Sequence, residues 1–129
     1  WVYIDEIYLL FQHEYSANFL FTLWKRVRKY GACCTGLTQN VDDLLQSHTA
    51  RTMLANSEFL VMLNQAATDR AELARLLNIS DNQLSYITNV DFGRGLIKCG
   101  SAIVPFMDNF PKNRLYRLMS TKLSETNVA

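Results

Sequence analysis

No run of apolar residues in this chain approaches the roughly 18 to 20 that a membrane-crossing helix requires, and no basic, apolar, small-residue leader opens it. A soluble, reducing compartment is therefore expected. The three cysteines supply no Cys-x-x-Cys pair, so a zinc or dithiol redox site finds no framework in them. Cys33, Cys34 and Cys99 are expected to be reduced, buried and small. Histidine is scarce as well: His13 and His48 have no acid or cysteine at ligand spacing, which leaves a metal centre without donors. Serine, cysteine and histidine form no local nucleophile motif. A formal net charge of +1 gives no field of one sign, so nucleic acid or an anionic membrane would have to be met by a local patch. Internal repeats and low-complexity segments are absent.

What is present is the composition of one compact domain, with 129 residues of which 49% are hydrophobic and 12% aromatic. The opening Trp-Val-Tyr-Ile reads as a short buried strand delivering Asp5 and Glu6 at its C-terminal end. From Ser16 to Tyr30, Ala17, Leu20, Phe21, Trp24 and Val27 recur at helical spacing, and Gly31 is the expected stop. Residues 32–38 are small and sulfur-rich and read as a second buried strand, ending in the polar Gln39-Asn40. Short helices are expected over 41–47 and 49–55, and the apolar run 58–63 reads as a third strand. Thr68 is the expected N-cap of a helix over 69–77, and Ser80 with Gln83 matches a capping box for a short helix through Ile87. A strand pair is expected over 96–100 and 101–105. The alternation in the first half favours parallel α/β connections. Residues 1–111 form the domain in this reading. Residues 112–129 form a basic and then polar tail, frayed over 124–129. Because Trp1 already lies inside an apolar stretch, a piece of a longer chain is expected.

Two acids at the end of an apolar strand suit a nucleoside triphosphatase. One organises magnesium through its water, and the next orients or deprotonates the attacking water. The same pattern also arises where carboxylates simply meet solvent at a strand end. The usual partner of such a pair is a glycine-rich loop ending in Gly-Lys-Ser/Thr, whose amides cradle phosphate. No such loop is present, and Gly93-Arg94-Gly95 is too short to be one.

The run Tyr-Ile-Asp-Glu at 3–6, Trp-Lys-Arg-Val-Arg-Lys-Tyr-Gly at 24–31 and Thr-Gly-Leu-Thr-Gln-Asn at 35–40 come in a telling order. Together with Asn56-Ser-Glu-Phe and Phe92-Gly-Arg-Gly they resemble the conjugation and type IV secretion ATPases of the TraC/TraE-like class, over nearly the whole chain. The resemblance implies the C-terminal part of a RecA-like P-loop NTPase domain. Its expected fold is α/β: a partial, mostly parallel sheet with flanking helices, a helical hairpin and a terminal strand pair. It implies that Asp5 is the Walker B acid that holds magnesium through water, that Glu6 is the catalytic base, and that Gln39 is the polar sensor of the γ-phosphate. A loop amide capping the next turn is the plain alternative for Gln39.

On a helical wheel Arg28 follows Ala17, Phe21 and Trp24 on the apolar stripe, whereas Arg26 lies opposite. Arg28 is therefore the better functional arginine, although cations near a helix C-terminus also favour the dipole. Arg94 resembles the arginine that ring ATPases place near a neighbouring subunit's nucleotide. In the parent protein the implied cofactors are ATP and magnesium, neither held tightly by this chain alone. The implied partners are other ATPase subunits, in a hexamer, and the secretion or conjugation machinery. The implied location is the cytoplasmic side of a bacterial inner membrane.

Two other readings compete. Residues 73–87 resemble a helix-turn-helix, with Ala74 at the crossing, Asn78 in the turn, and Asn82, Gln83 and Ser85 as base readers. The second helix, however, carries no Lys or Arg for phosphate contacts, and direct nucleic-acid binding is not expected from it. A pure interaction module is the third reading. In RecA-like sheets the Walker A strand lies between the sensor strand and the strand after it, so this chain lacks a central member. The exposed apolar edges should then drive self-association. Light scattering should show a dimer or swapped oligomer; a monomer with the sheet closed across the gap would contradict this.

Overall fold

The structure, a computed structural model, describes residues 1–39 and 41–120. Asn40 and the expected frayed tail lie outside the described residues.

Strand β1 (Val2–Ile4) leads through a 3-10 turn (Ile7–Phe11) into helix α1 (Glu14–Arg26). A second 3-10 turn (Val27–Tyr30) follows, and the helical run stops at Gly31, as expected. Strand β2 (Cys34–Gly36) then returns parallel to β1, with Val2 opposite Cys34, Tyr3 opposite Thr35 and Ile4 opposite Gly36. This β-α-β crossover is the unit that the alternating pattern predicts, because a parallel return needs a helix-length connection. Helices α2 (Val41–Gln46) and α3 (His48–Ala55) follow, the latter N-capped by Ser47, whose Oγ accepts from the Ala50 amide at 3.3 Å.

Strand β3 (Phe59–Met62) does not join the parallel pair. It pairs antiparallel with β4 (Arg94–Cys99), which in turn pairs antiparallel with β5 (Ala102–Met107). The α/β architecture is thus carried by two sheets: a parallel pair β1-β2 and an antiparallel triplet β3-β4-β5. β2 and β3 remain unpaired with each other, and the expected terminal strand pair extends over more residues than the apolar run suggested. Gly95 makes the triplet possible. A Cβ there would lie 2.1 Å from the Met62 carbonyl oxygen, so only glycine allows β3 this close to β4.

Between the strands lie helix α4 (Ala67–Leu77) and the single-turn α5 (Asp81–Leu84), which continues as a 3-10 turn (Ser85–Ile87). The capping box is present: Gln83 Oε1 accepts from the Ser80 amide at 3.0 Å, while Ser80 Oγ accepts from the Gln83 amide. Thr68 is not the cap expected of it. The helix begins one residue before it, with Ala66 in the capping position, and Thr68 Oγ1 instead donates to Asp69 Oδ1 at 3.1 Å. A further helix, α6 (Arg114–Met119), occupies part of the segment read as a tail. Asn113 starts it by accepting the Tyr116 amide at 3.0 Å.

Two apolar clusters hold these elements together. Ile7, Leu20, Leu44, Ala50 and Met53 pack beneath β1 among the helices that follow it. Val41, Leu45, Met62, Leu73, Leu77, Ile79, Ile87 and Leu96 pack between α2, α4 and the antiparallel sheet. Helix α2 serves both, turning Leu44 to the first and Val41 and Leu45 to the second. Arg51 reinforces the junction: its Nε donates to the Leu45 carbonyl and its guanidinium meets Glu72 at 3.3 Å. That partly exposed ion pair contributes only about 0.5 kcal/mol, so apolar burial dominates.

Burial departs from expectation on both strands of the parallel pair. Trp1 is 83% exposed and stacks on the exposed Tyr3. The cysteines are also less buried than expected. Cys33 and Cys99 are exposed, and only Cys34 is partly covered. Its burial, with the adjacent Cys33 adding, pushes the Cys34 thiol up and away from reactivity. On the antiparallel sheet, Met62 and Leu96 face the core, while Phe59 and Val61, at 65% and 61% exposed, line an open apolar face with Ile97 and Val104.

Replacing Gly95 by alanine should lower stability by about 1–3 kcal/mol, the range for forced overpacking. Chemical denaturation followed by circular dichroism checks this; an unchanged midpoint would show that β3 and β4 do not approach so closely.

Candidate functional site

The carboxyl ends of β1 and β2 lie side by side, and the ladder continues beyond both strands. The Leu37 amide donates to the Ile4 carbonyl at 2.8 Å, and the Ile7 amide donates to the Leu37 carbonyl at 2.9 Å. Asp5 and Glu6 occupy the turn between those two bonds. Glu6 adopts a left-handed conformation, φ 48° and ψ 46°, which is uncommon for a residue with a side chain and is held only when surroundings over-determine it. Here the flanking ladder bonds do so, assisted by Asp5, whose Oδ1 accepts the Glu6 amide at 3.0 Å. Gly36 contributes space: a Cβ there would lie 2.6 Å from Ile7 Cδ1, so its absence lets the buried Ile7 side chain seat directly over β2.

The left-handed turn directs Glu6 toward the loop after β2. Gln39 Nε2 donates to Glu6 Oε1 at 3.3 Å, joining two residues 33 positions apart in sequence. The other carboxylate oxygen, Glu6 Oε2, is buried and has no hydrogen-bond partner among the described residues. A buried carboxylate oxygen left in this state is costly. The pairing of Asp5, Glu6 and Gln39, expected from separate parts of the sequence, is therefore a physical cluster at one sheet end. Asp5 is exposed to solvent.

The two arginines lie elsewhere. Arg28 is not on a buried stripe: α1 ends at Arg26 and tightens into a 3-10 turn, so the 100° step that aligned Arg28 with Trp24 no longer applies. It is exposed, and its carbonyl accepts the Gly31 amide just before β2. Since β2 runs parallel to β1, Arg28 sits at the amino end of the pair and the acids at the carboxyl end. Arg94 opens β4 rather than standing in a free turn. Its half-exposed guanidinium lies 3.9 Å from the exposed Asp91 carboxylate, a loose surface pair. Neither arginine is brought to the acids within one chain.

The helix-turn-helix reading is overturned by the same geometry. Helix α5 has four residues, too short to lie along a major groove. Two of the proposed base readers are also engaged within the chain: Gln83 Nε2 donates to the Ile103 carbonyl at 3.2 Å, and Ser85 Oγ to the Asn82 carbonyl at 2.7 Å. The segment is a helical hairpin packed on the antiparallel sheet.

Among the described residues no group of three or more metal-binding side chains converges. The cluster nevertheless suits part of a magnesium-nucleotide site. Asp5 offers an exposed carboxylate, and Glu6 Oε2 offers a buried acceptor beside it. A cleft of about 330 Å³ is lined by Tyr8, Phe11, Gln12, Asp43, Gln46 and Ser47. Asp5, Glu6 and Gln39 are not part of its lining.

No helix among the described residues is long and apolar enough to cross a membrane. No curated protein matches the chain. A solved structure, that of VirB4 of Thermoanaerobacter pseudethanolicus, is similar with a TM-score of 0.77 and 26% identity; the match covers 84% of this chain and 31% of that one. The chain thus spans about a third of the VirB4 chain it matches. The mixed α/β fold, with its parallel pair and antiparallel sheet, accords with that structure. The family model of the TraG P-loop domain matches residues 1–95, which include β1, Asp5, Glu6, Gln39 and Arg94, and the chain belongs to that family.

Proposed function

We propose that this chain is the metal-and-water half of an ATP-hydrolysing motor site, within a protein that powers conjugative DNA transfer or type IV secretion. The observation that carries the proposal is the Glu6 carboxylate, held by Gln39 through Oε1 at the end of a parallel strand pair, with Oε2 unpartnered among the described residues. A carboxylate oriented by a neutral amide at a strand end, next to a second acid, is the kind of group that serves as a general base. Asp5, beside it and exposed, would hold magnesium through a water molecule. Bound magnesium would neutralise charge on the phosphates.

In this reading Glu6 accepts a proton from the attacking water and aligns it with the γ-phosphorus. Gln39, at the end of β2, reads the γ-phosphate through its amide. Arg94 acts across a subunit interface, where its loose pairing with Asp91 is easily exchanged for a phosphate. Arg28, at the opposite end of β1-β2, takes no part in the half-site. The phosphate-cradling loop would come from polypeptide outside these 129 residues, and the remaining free edge of β2 is where its strand would pair. The work would be done at the cytoplasmic side of a bacterial inner membrane, in a hexameric ring with the transfer machinery.

In the intact ATPase, Glu6→Gln should lower kcat by about 100-fold or more with little change in nucleotide affinity, measured by phosphate release and fluorescent-nucleotide titration. Hydrolysis at the original rate would sink the proposal. Arg94→Ala should reduce hydrolysis in the assembled ring, and unchanged hydrolysis would remove Arg94 from the active set. The 129-residue chain alone should show negligible ATP binding by calorimetry; submicromolar affinity would mean that it carries its own phosphate site.

A further inference from the structure

We infer that Gln39 is a positioning residue for the Glu6 carboxylate, acting through it as well as on phosphate; the inference rests on the ATPase reading above. The backbone of Glu6 is fixed by the Leu37–Ile4 and Ile7–Leu37 bonds and by the Asp5 side chain. None of these restrains the carboxylate itself, which stands at the end of three rotatable side-chain bonds. Its single hydrogen bond among the described residues comes from Gln39 Nε2, at 3.3 Å to Oε1. With that bond made, Oε2 is buried and has no hydrogen-bond partner among the described residues. One donor, on Oε1, thus sets the orientation of the carboxylate.

The chemistry of the donor matters. An amide is neutral, so Gln39 orients the carboxylate without placing a second charge beside it, as a lysine or arginine would. The amide nitrogen also carries a second hydrogen. While the first points to Oε1, the second remains able to reach a phosphate oxygen, so one side chain links the state of the phosphate to the aim of the base. Asparagine would be one methylene short of Glu6. Sequence position alone does not reveal this link, because the two residues meet only through the parallel register of β1 and β2.

Two measurements test it. In the isotopically labelled 129-residue chain, the Gln39 side-chain amide resonances should sit away from those of a free amide and return to them in Glu6→Ala; identical resonances in both would overturn the contact. In the intact ATPase, Gln39→Ala should lower kcat by roughly tenfold or more, and Gln39→Asn should not restore it. If Gln39 works in part through Glu6, adding Gln39→Ala to Glu6→Gln should slow hydrolysis by clearly less than the factor that Gln39→Ala costs on its own. A double variant slower by the full factor of Gln39→Ala would overturn the inference while leaving the ATPase reading intact. Glu6→Gln with unimpaired hydrolysis would instead remove the ATPase reading, and the inference with it.

Discussion

The parallel register of β1 and β2 is the constraint on which the site depends. Each strand is only three residues long, yet the pairing of Val2 with Cys34 and Ile4 with Gly36 determines everything at their carboxyl ends. It places the turn after β1 beside the loop after β2, forces Glu6 into a left-handed backbone, and leaves its side chain one hydrogen bond from Gln39. A slip of one residue would reverse the faces of the strand and separate the two groups. The short strands are held in place from below by Ile7, Leu20, Leu44, Ala50 and Met53. Gly36 permits Ile7 to reach that cluster directly over β2.

Helix α2 transmits this order to the rest of the molecule. Consecutive residues Leu44 and Leu45 enter different cores, so the parallel pair and the antiparallel sheet are packed against opposite flanks of one short helix. The result joins the β1-β2 unit to a sheet whose outer face, with Phe59, Val61, Ile97 and Val104, is apolar and open. Pro105 in β5 lacks an amide hydrogen and so weakens that strand's outer edge as a template for further pairing.

Much of this is legible in the sequence where a local rule suffices. The strand ending in Asp5-Glu6, the helix stopped by Gly31 and the Ser80–Gln83 capping box each depend on a few adjacent residues. Contacts between distant elements are less accessible. β3 joins the antiparallel sheet because Gly95 admits the Met62 carbonyl, a close approach that no periodicity announces. Arg28 leaves the apolar stripe because α1 tightens into a 3-10 turn, which shifts the phase of a helical wheel. The helical hairpin looked like a DNA reader because inward apolar spacing is the same in both; only the length of α5 and the engagement of Gln83 separate them. The resemblance to conjugation and secretion ATPases anticipated the family, while the Glu6–Gln39 bond emerges from geometry alone.

The most direct test of the half-site is a crystal structure of a longer polypeptide that includes the upstream phosphate loop, with magnesium and a non-hydrolysable ATP analogue. The terminal phosphate should lie at the carboxyl ends of β1 and β2, with Asp5 facing a magnesium-bound water and Glu6 facing the water opposite the γ-phosphorus. Nucleotide bound away from that sheet end, with Glu6 still paired to Gln39 and touching neither water nor phosphate, would contradict it.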